Sequence, residues 1–425
     1  MPVWHEKTRT LRESGELVVI GITQEQHPDR CSLYAQWQGI DWPILWDPFN
    51  LTGSAAVPVV LAVDEAGVIR PGRLDVRRFE EQILEGWMPS APAQPGPAAH
   101  RPYPDVVPPS TRAAAASEGD KAQVALSRLL WSRTAGEEGL DGAAHEGALR
   151  TLEQAALAQD ADPALTFHHG VALRMRYDSE YRQAGDFQRA LDAWMNALIR
   201  RPSQYIWRRR IQQWGPRLDK PYPFYDWVEE AQASMIAAGK VPHQIQVALS
   251  GAELTSGTRE IPVRNIQDSH PDPEAALKRD GKHLIELEST VCLHTGVTSK
   301  RVREPAGSSR IHLVLRPTAG AQFEPAAGPA KIWIEVPPGW NTPRQLLTAS
   351  SSADPKAELL AEFEVRPPQP DLTGPPTSPT LPATIRGTAF YFVCEGVSGE
   401  CQFLAQDFEI LIQAPPVVEG PGPGK

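Results

Sequence analysis

Leu17-Val18-Val19-Ile20-Gly21-Ile22-Thr23 is a near-continuous apolar run, the pattern of a strand buried on both faces. Beyond it, a short helical stretch leads to Ile40-Asp41-Trp42-Pro43-Ile44-Leu45-Trp46-Asp47. Val57-Pro58-Val59-Val60-Leu61-Ala62-Val63-Asp64-Glu65-Ala66-Gly67-Val68-Ile69-Arg70 then reads as an apolar strand, a turn carrying Gly, and a second strand. A helix expected from Val76 to about Gly86 closes the segment.

A chain of 425 residues has room for several domains and enough core to fold without staples. Its 42 prolines are concentrated in linkers and loops, which predicts separate domains on a string. The net charge of −10 excludes a global basic footprint for nucleic acid. No run approaches the ~18 apolar residues of a membrane span, and the N-terminus lacks a charged region followed by an apolar stretch. As written, the sequence therefore reads as soluble and cytoplasmic. Four cysteines (Cys31, Cys292, Cys394, Cys401) are too few for a disulfide scaffold, and Cys394 with Cys401 is the only close pair. His168-His169 and Cys292-Leu293-His294 lack a second pair at ligand spacing, so no metal is expected. Gly-rich phosphate loops, Gly-x-Ser-x-Gly and His-Glu-x-x-His are missing, and no cofactor is expected.

The stretch 17–70 resembles the back part of a thioredoxin-type fold, in the redoxin branch of TlpA-like and AhpC/TSA-like proteins. The resemblance implies a domain over residues 1–87 and a lineage of thiol–disulfide exchange. In that family a proline, usually cis, opens the strand facing the redox helix, and Pro58 matches the position. The lead-in here is Ala56-Val57 rather than the usual small residue and Thr. The plainer reading is a proline opening an edge strand. The family's Cys-x-x-Cys would precede the helix on which the chain opens. Met1-Pro2 fits the family's Met-Pro at the bend of that helix, with Trp4 to Glu13 as its remainder. Residues 1–87 are accordingly expected to have no reductase or peroxidase activity of their own. An in-frame extension upstream would supply the strand, the motif and a signal peptide, and would make the protein periplasmic or extracytoplasmic. Without that strand, two apolar edges would be exposed and residues 1–87 alone would fold poorly. Cys31 lies away from the family's nucleophile position and reads as a small buried hydrophobe.

Residues 88–117 form a Pro/Ala-rich linker, and residues 118–240 are rich in Ala, Leu, Gln, Arg and Glu at helical spacing. Gly185 to Pro202 resembles the second helix of a tetratricopeptide repeat, with Ala190, Trp194, Ala197 and Pro202 at its signature offsets and Tyr181 suiting the first helix. Small Ala190 and Ala197 would admit a neighbouring helix, and Trp194 would fill the gap beside them. A weaker echo at Ala148, Leu152 and Ala155 gives one good hairpin and one degenerate one in a small array. The resemblance implies a peptide or protein partner. Tyr205-Ile206-Trp207-Arg208-Arg209-Arg210-Ile211 interleaves basic and aromatic residues; the acidic balance favours packed rings with solvent-facing arginines over nucleic-acid stacking.

From about Pro242 the period switches to two. The runs His243–Leu249, His283–Leu293, Arg310–Leu315, Lys331–Val336, Leu359–Val365, Ile385–Val393 and Gln402–Ile412 suit an antiparallel sandwich over residues 241–414, before a disordered tail at 415–425. Between the last two runs lies Cys394-Glu395-Gly396-Val397-Ser398-Gly399-Glu400-Cys401, whose turn residues would bring the sulfurs together in a hairpin. The segment resembles the cysteine hairpin of the DsbD amino-terminal domain, an immunoglobulin-like module that accepts electrons through a pair at similar spacing. Val336-Pro337-Pro338-Gly339-Trp340 is similar to the Pro-Gly-Trp turn of that domain. An exchange-active pair, a structural cross-strand disulfide and two free thiols in a reducing cell all remain open. The expectation is a multidomain α+β protein: a partial thioredoxin-like domain, a tetratricopeptide-like array and an immunoglobulin-like sandwich. Its expected function is redoxin-family thiol chemistry, with a non-enzymatic interaction scaffold as the alternative.

Overall fold

The structure, a computed structural model, describes residues 2–64, 69, 74–79, 81–82, 118–134, 142–158, 160–216, 224–249, 253–254, 268–272, 274–294, 308–368, 381–396 and 399–413. The expected linker at 88–117, the tail at 415–425 and the end of the expected helix near Gly86 lie outside them. The described residues are mixed α+β. Their helices are α1 (Pro2–Glu13), α2 (Pro28–Gln38), α3 (Glu118–Thr134), α4 (Gly142–Leu157), α5 (Pro163–Tyr177), α6 (Asp186–Arg200), α7 (Tyr205–Gln212) and α8 (Trp227–Ala237). The strands are β1 (Gly21–Thr23), β2 (Ile44–Trp46), β3 (Ile285–Leu293), β4 (Ser309–Pro317), β5 (Ala321–Phe323), β6 (Lys331–Glu335), β7 (Leu346–Thr348), β8 (Leu359–Val365), β9 (Ala383–Glu395) and β10 (Cys401–Ile412). No helix among the described residues is long and apolar enough to cross a membrane.

Two compact units divide the chain. The first gathers Met1–Ala172, Gln204–Ile206 and Trp227–Ala248; the second gathers Leu173–Ser203, Trp207–Asp226 and Leu249–Lys425. In the first, α2 starts on Pro28, whose missing N–H costs nothing at a helix start, and stops at Gly39 in the left-handed region at φ 63°. It packs on α8 through rings: Trp37 stacks parallel to Trp227 at 6.1 Å, and Tyr34 meets Trp227 edge-on at 5.2 Å. Helix α3 packs on α4, bringing Ala122, Ala125, Leu126 and Leu129 together with Ala148, Leu149, Leu152 and Ala155 as buried stripes at helical spacing.

The parallel pair β1–β2 is shorter than the run 17–23 predicts. Nor is that run buried on both faces: Val18 is 76% exposed, and Ile20 and Ile22 remain exposed as well. The run is instead covered on one face: Leu17, Val19 and Thr23 are half-buried and Gly21 is buried, while Val18, Ile20 and Ile22 point outward. The expected strand at 57–63 is reduced to a single bridge between Val63 and Ile69, and Leu61 and Val63 are exposed. The run His243–Leu249 is also not a strand. Side chains of α2 take its backbone groups instead: the N–H of His243 donates to Gln36 at 2.8 Å and that of Gln246 to Asp29 at 2.6 Å.

The second unit is built on two antiparallel sheets. One has the order β10-β9-β6-β7 with β5 added on β9; the other is β3-β4-β8. Ile285, Ile311, Leu313 and Leu315 of one join Ile332, Ile334, Ile385, Tyr391 and Ile412 of the other in one core. The other six predicted runs form strands, with β5 and β7, each of three residues, added to them. Amphipathic α6 lies against β3. Its Gln188 hydrogen-bonds both the N–H and the carbonyl of Val291, at 2.8 and 3.3 Å, as a neighbouring strand would.

Candidate functional site: the cysteine hairpin

Strands β9 and β10 pair along their whole length, from Ala383 opposite Ile412 to Cys394 opposite Cys401. Direct opposition in an antiparallel ladder puts both side chains on one face, and the Cα atoms lie 4.0 Å apart. The two sulfurs are joined as a disulfide. Gly396 leaves the strand at φ 73°, a left-handed conformation that suits glycine, and its N–H donates to the Gly320 carbonyl at 2.6 Å. Val397 and Ser398, part of the expected turn, lie outside the described residues.

The two sulfurs stand in different surroundings. Cys394 is buried at 3% exposure, whereas Cys401 is exposed. Two residues further along the same face, Phe392 opposes Phe403 with ring centroids 4.6 Å apart, and Phe392 is 36% exposed. On the other side of β9, β5 pairs Phe323 with Val393, so the chain emerges at Glu324 beside the disulfide. Its Oε2 lies 3.9 Å from the Cys394 sulfur and 3.8 Å from the Cys401 sulfur. Its Oε1 accepts from the Ala326 N–H at 3.1 Å, which fixes the carboxylate in this orientation.

Glu324 and Phe403 were not among the candidates read from the sequence. Strand alternation counted back from the cysteines would have found the phenylalanines. Glu324 carries no local signal, because a three-residue strand brings it there.

The remaining candidates are scattered. Pro58 follows a cis peptide bond, as does Pro382. Ala190, Trp194 and Ala197 are fully buried on α6, and Pro202 follows that helix. Tyr181 corrects the expectation: it lies beyond the end of α5, in the turn before α6, where the Arg182 guanidinium hydrogen-bonds the Tyr177 carbonyl and closes the helix. The arginines of α7 do not form a solvent face either. Arg210 is buried beside the Trp194 ring at 5.7 Å, and Arg209 lies over Phe224 at 3.8 Å.

Burial pushes the Cys31 thiol up, against a lowering hydrogen bond to Thr23, so it has no thiolate character at neutral pH. Cys292 is a buried cysteine outside the disulfide, in a cavity of about 240 Å³ that Gln188, Asp192, Met195 and Leu411 also line. Burial pushes the Asp192 carboxyl up, opposed by its hydrogen bond with Gln188.

Comparison with family models, with curated proteins and with solved structures gives no match for the chain.

Proposed function

We propose that the chain belongs to the thiol–disulfide exchange lineage and exchanges electrons at Cys394–Cys401, in a DsbD-like sandwich, while its redoxin-like residues 1–87 contribute no redox chemistry. The observation that carries this reading is the asymmetry of the pair: Cys401 is exposed, Cys394 is buried, and a Glu324 oxygen stands 3.8 and 3.9 Å from their sulfurs. A partner thiolate attacks the Cys401 sulfur, a new S–S bond forms, and the old one breaks with its electron pair on Cys394. Glu324 is placed to relay a proton from water to that leaving sulfur. The partner's second thiolate then attacks its own sulfur in the mixed disulfide and expels Cys401. The partner dithiol is oxidised to a disulfide, and the pair gains two electrons and two protons. Phe392 and Phe403 give the incoming protein an apolar footing beside the reacting sulfur.

The test is the reduction potential of the full-length chain, measured by mass spectrometry after equilibration in glutathione buffers. A value above about −300 mV, in the range of exchange proteins, supports the reading; one well below it makes the bond a structural staple and overturns it.

A second reading, a non-enzymatic interaction protein, draws on the exposed apolar side chains Ile22 and Leu45 of the β1–β2 pair and Val18 and Ile20 just before β1. An extended peptide could add a strand there, alongside any contacts made by the helices. Anisotropy with labelled apolar peptides tests it: Ile20→Lys is expected to weaken binding, and equal binding by that variant removes this surface.

A further inference from the structure

Glu324, Cys394 and Cys401 form the group of three metal-capable side chains found among the described residues, with ligand atoms within 4.8 Å of one another. We propose that once the disulfide is reduced these residues bind a zinc ion, so that metal and disulfide are alternative states of the same hairpin end. The inference requires only that the bond open. It does not depend on recognition of an exchange partner.

The spacing suits the ion. With Zn–S of about 2.3 Å and Zn–O of about 2.1 Å, tetrahedral angles place sulfur and oxygen ligands about 3.6 Å apart and two sulfurs about 3.8 Å apart. The Glu324 oxygen already stands 3.8 and 3.9 Å from the two sulfurs. The sulfurs need only separate, and side-chain rotation from opposed positions achieves that without moving β9 against β10. The carboxylate is also held in advance. Its second oxygen is tied to Ala326, and the Glu324 N–H donates to the Phe392 carbonyl at 3.2 Å, the kind of outer support that orients a metal ligand. A neutral disulfide offers this carboxylate no strong attraction, whereas a divalent cation does. The exposed side of Cys401 leaves the fourth position to water.

The chemistry balances with a dithiol as reductant: it closes to its own disulfide and leaves two thiols on the hairpin. Zinc then displaces both thiol protons as two Zn–S bonds form, and the carboxylate adds as third ligand. Two thiolates with a carboxylate select a borderline cation without geometric demands, which is zinc. Copper(I) would be satisfied by the thiolates alone and would not need Glu324.

The experiment uses the full-length chain reduced with a phosphine, with zinc uptake measured against a chromophoric chelator. One zinc per reduced chain is expected, and none on the oxidised chain. Cys394→Ser is expected to abolish uptake and Cys31→Ser to leave it intact. Glu324→Gln, which keeps an acceptor for Ala326, is expected to weaken binding by at least about tenfold, the lower end of what outer-shell losses already produce. Far-UV circular dichroism of each variant checks that it is folded; a folded Glu324→Gln that binds zinc as tightly as the parent overturns the proposal. So does a reduced chain that binds none after alkylation has shown both thiols open. The potential of the metal-free pair is read separately, so failure of the zinc site and failure of the exchange reading are distinct results.

Discussion

Asp186 is fully buried at the start of α6, and its position was not singled out by any motif. Arg176 grips its two oxygens at 2.6 and 2.9 Å, and the Gln183 N–H adds a bond at 2.9 Å. Truncating one partner of such a pair leaves the other charged and dry, which is costlier than losing both. Asp186→Ala is therefore expected to lower stability by about 3–5 kcal/mol, read from the urea midpoint. Arg189, half exposed on the same carboxylate, contributes far less, and Arg189→Ala serves as the control. His168, edge-on to Phe49 at 5.8 Å, acts in the opposite sense. Burial, only partly offset by its hydrogen bond with the Phe49 backbone, lowers its pKa from 6.5 to about 4. Between those values the unfolded chain binds the proton and the folded one does not. The stability is thus intact above pH 6.5, declines as pH falls, and is lost below about 4, a span of about 3 kcal/mol. His168→Leu is expected to flatten the stability profile across pH 4–6.5 relative to the parent, and an unchanged slope would place the titration elsewhere.

Gly387, in the middle of β9, faces Ile334 of β6 on one side and Phe408 of β10 on the other. An added Cβ would stand 2.6 Å from the Trp333 carbonyl oxygen and 2.3 Å from the Phe408 ring. The ring could rotate away, but the carbonyl is held in the sheet. Gly387→Ala is expected to cost about 1–3 kcal/mol in denaturant unfolding, with Gly281→Ala, where the added methyl meets nothing, as the comparison. At this scale most of the antiparallel strands were legible: Leu359–Val365 alternates between buried and half-buried positions, whereas its neighbour Ser309–Pro317 is continuously buried over its first seven residues. What misled was apolar content without a partner. The run 17–23 has the composition of a central strand, yet pairing is a property of what lies beside it. Gln36 and Asp29 converted an expected strand at 243–249 into a loop by hydrogen bonds from more than 200 residues away, a distance no local pattern reports. The cysteine pair was legible from spacing and turn residues. Its carboxylate was not, since Glu324 arrives through the long-range pairing of β5 with β9.

For the molecule as a whole, the disulfide matters less to folding than its position suggests. It closes a loop of only eight residues, for which chain entropy gives about 2.5 kcal/mol. Against that stand Ile385, Tyr391, Leu404, Ile410 and Ile412, all buried by the same two strands in the core shared by both sheets. Each large apolar side chain there stabilises by about 1.5–3 kcal/mol, so the core outweighs the cross-link several-fold. Asp280 adds to the same frame, accepting from the Tyr391 hydroxyl at 2.8 Å and from the Leu284 N–H at 2.8 Å. Reduction is thus expected to lower the melting temperature by about 5–10 °C while near-ultraviolet dichroism and cooperative unfolding persist. That outcome is what an exchange protein and a redox-gated zinc site both need, because each requires a folded dithiol. Loss of near-ultraviolet dichroism on reduction at 25 °C would instead make the bond a staple, and the chemistry assigned to Cys394 and Cys401 would have no folded state to act from.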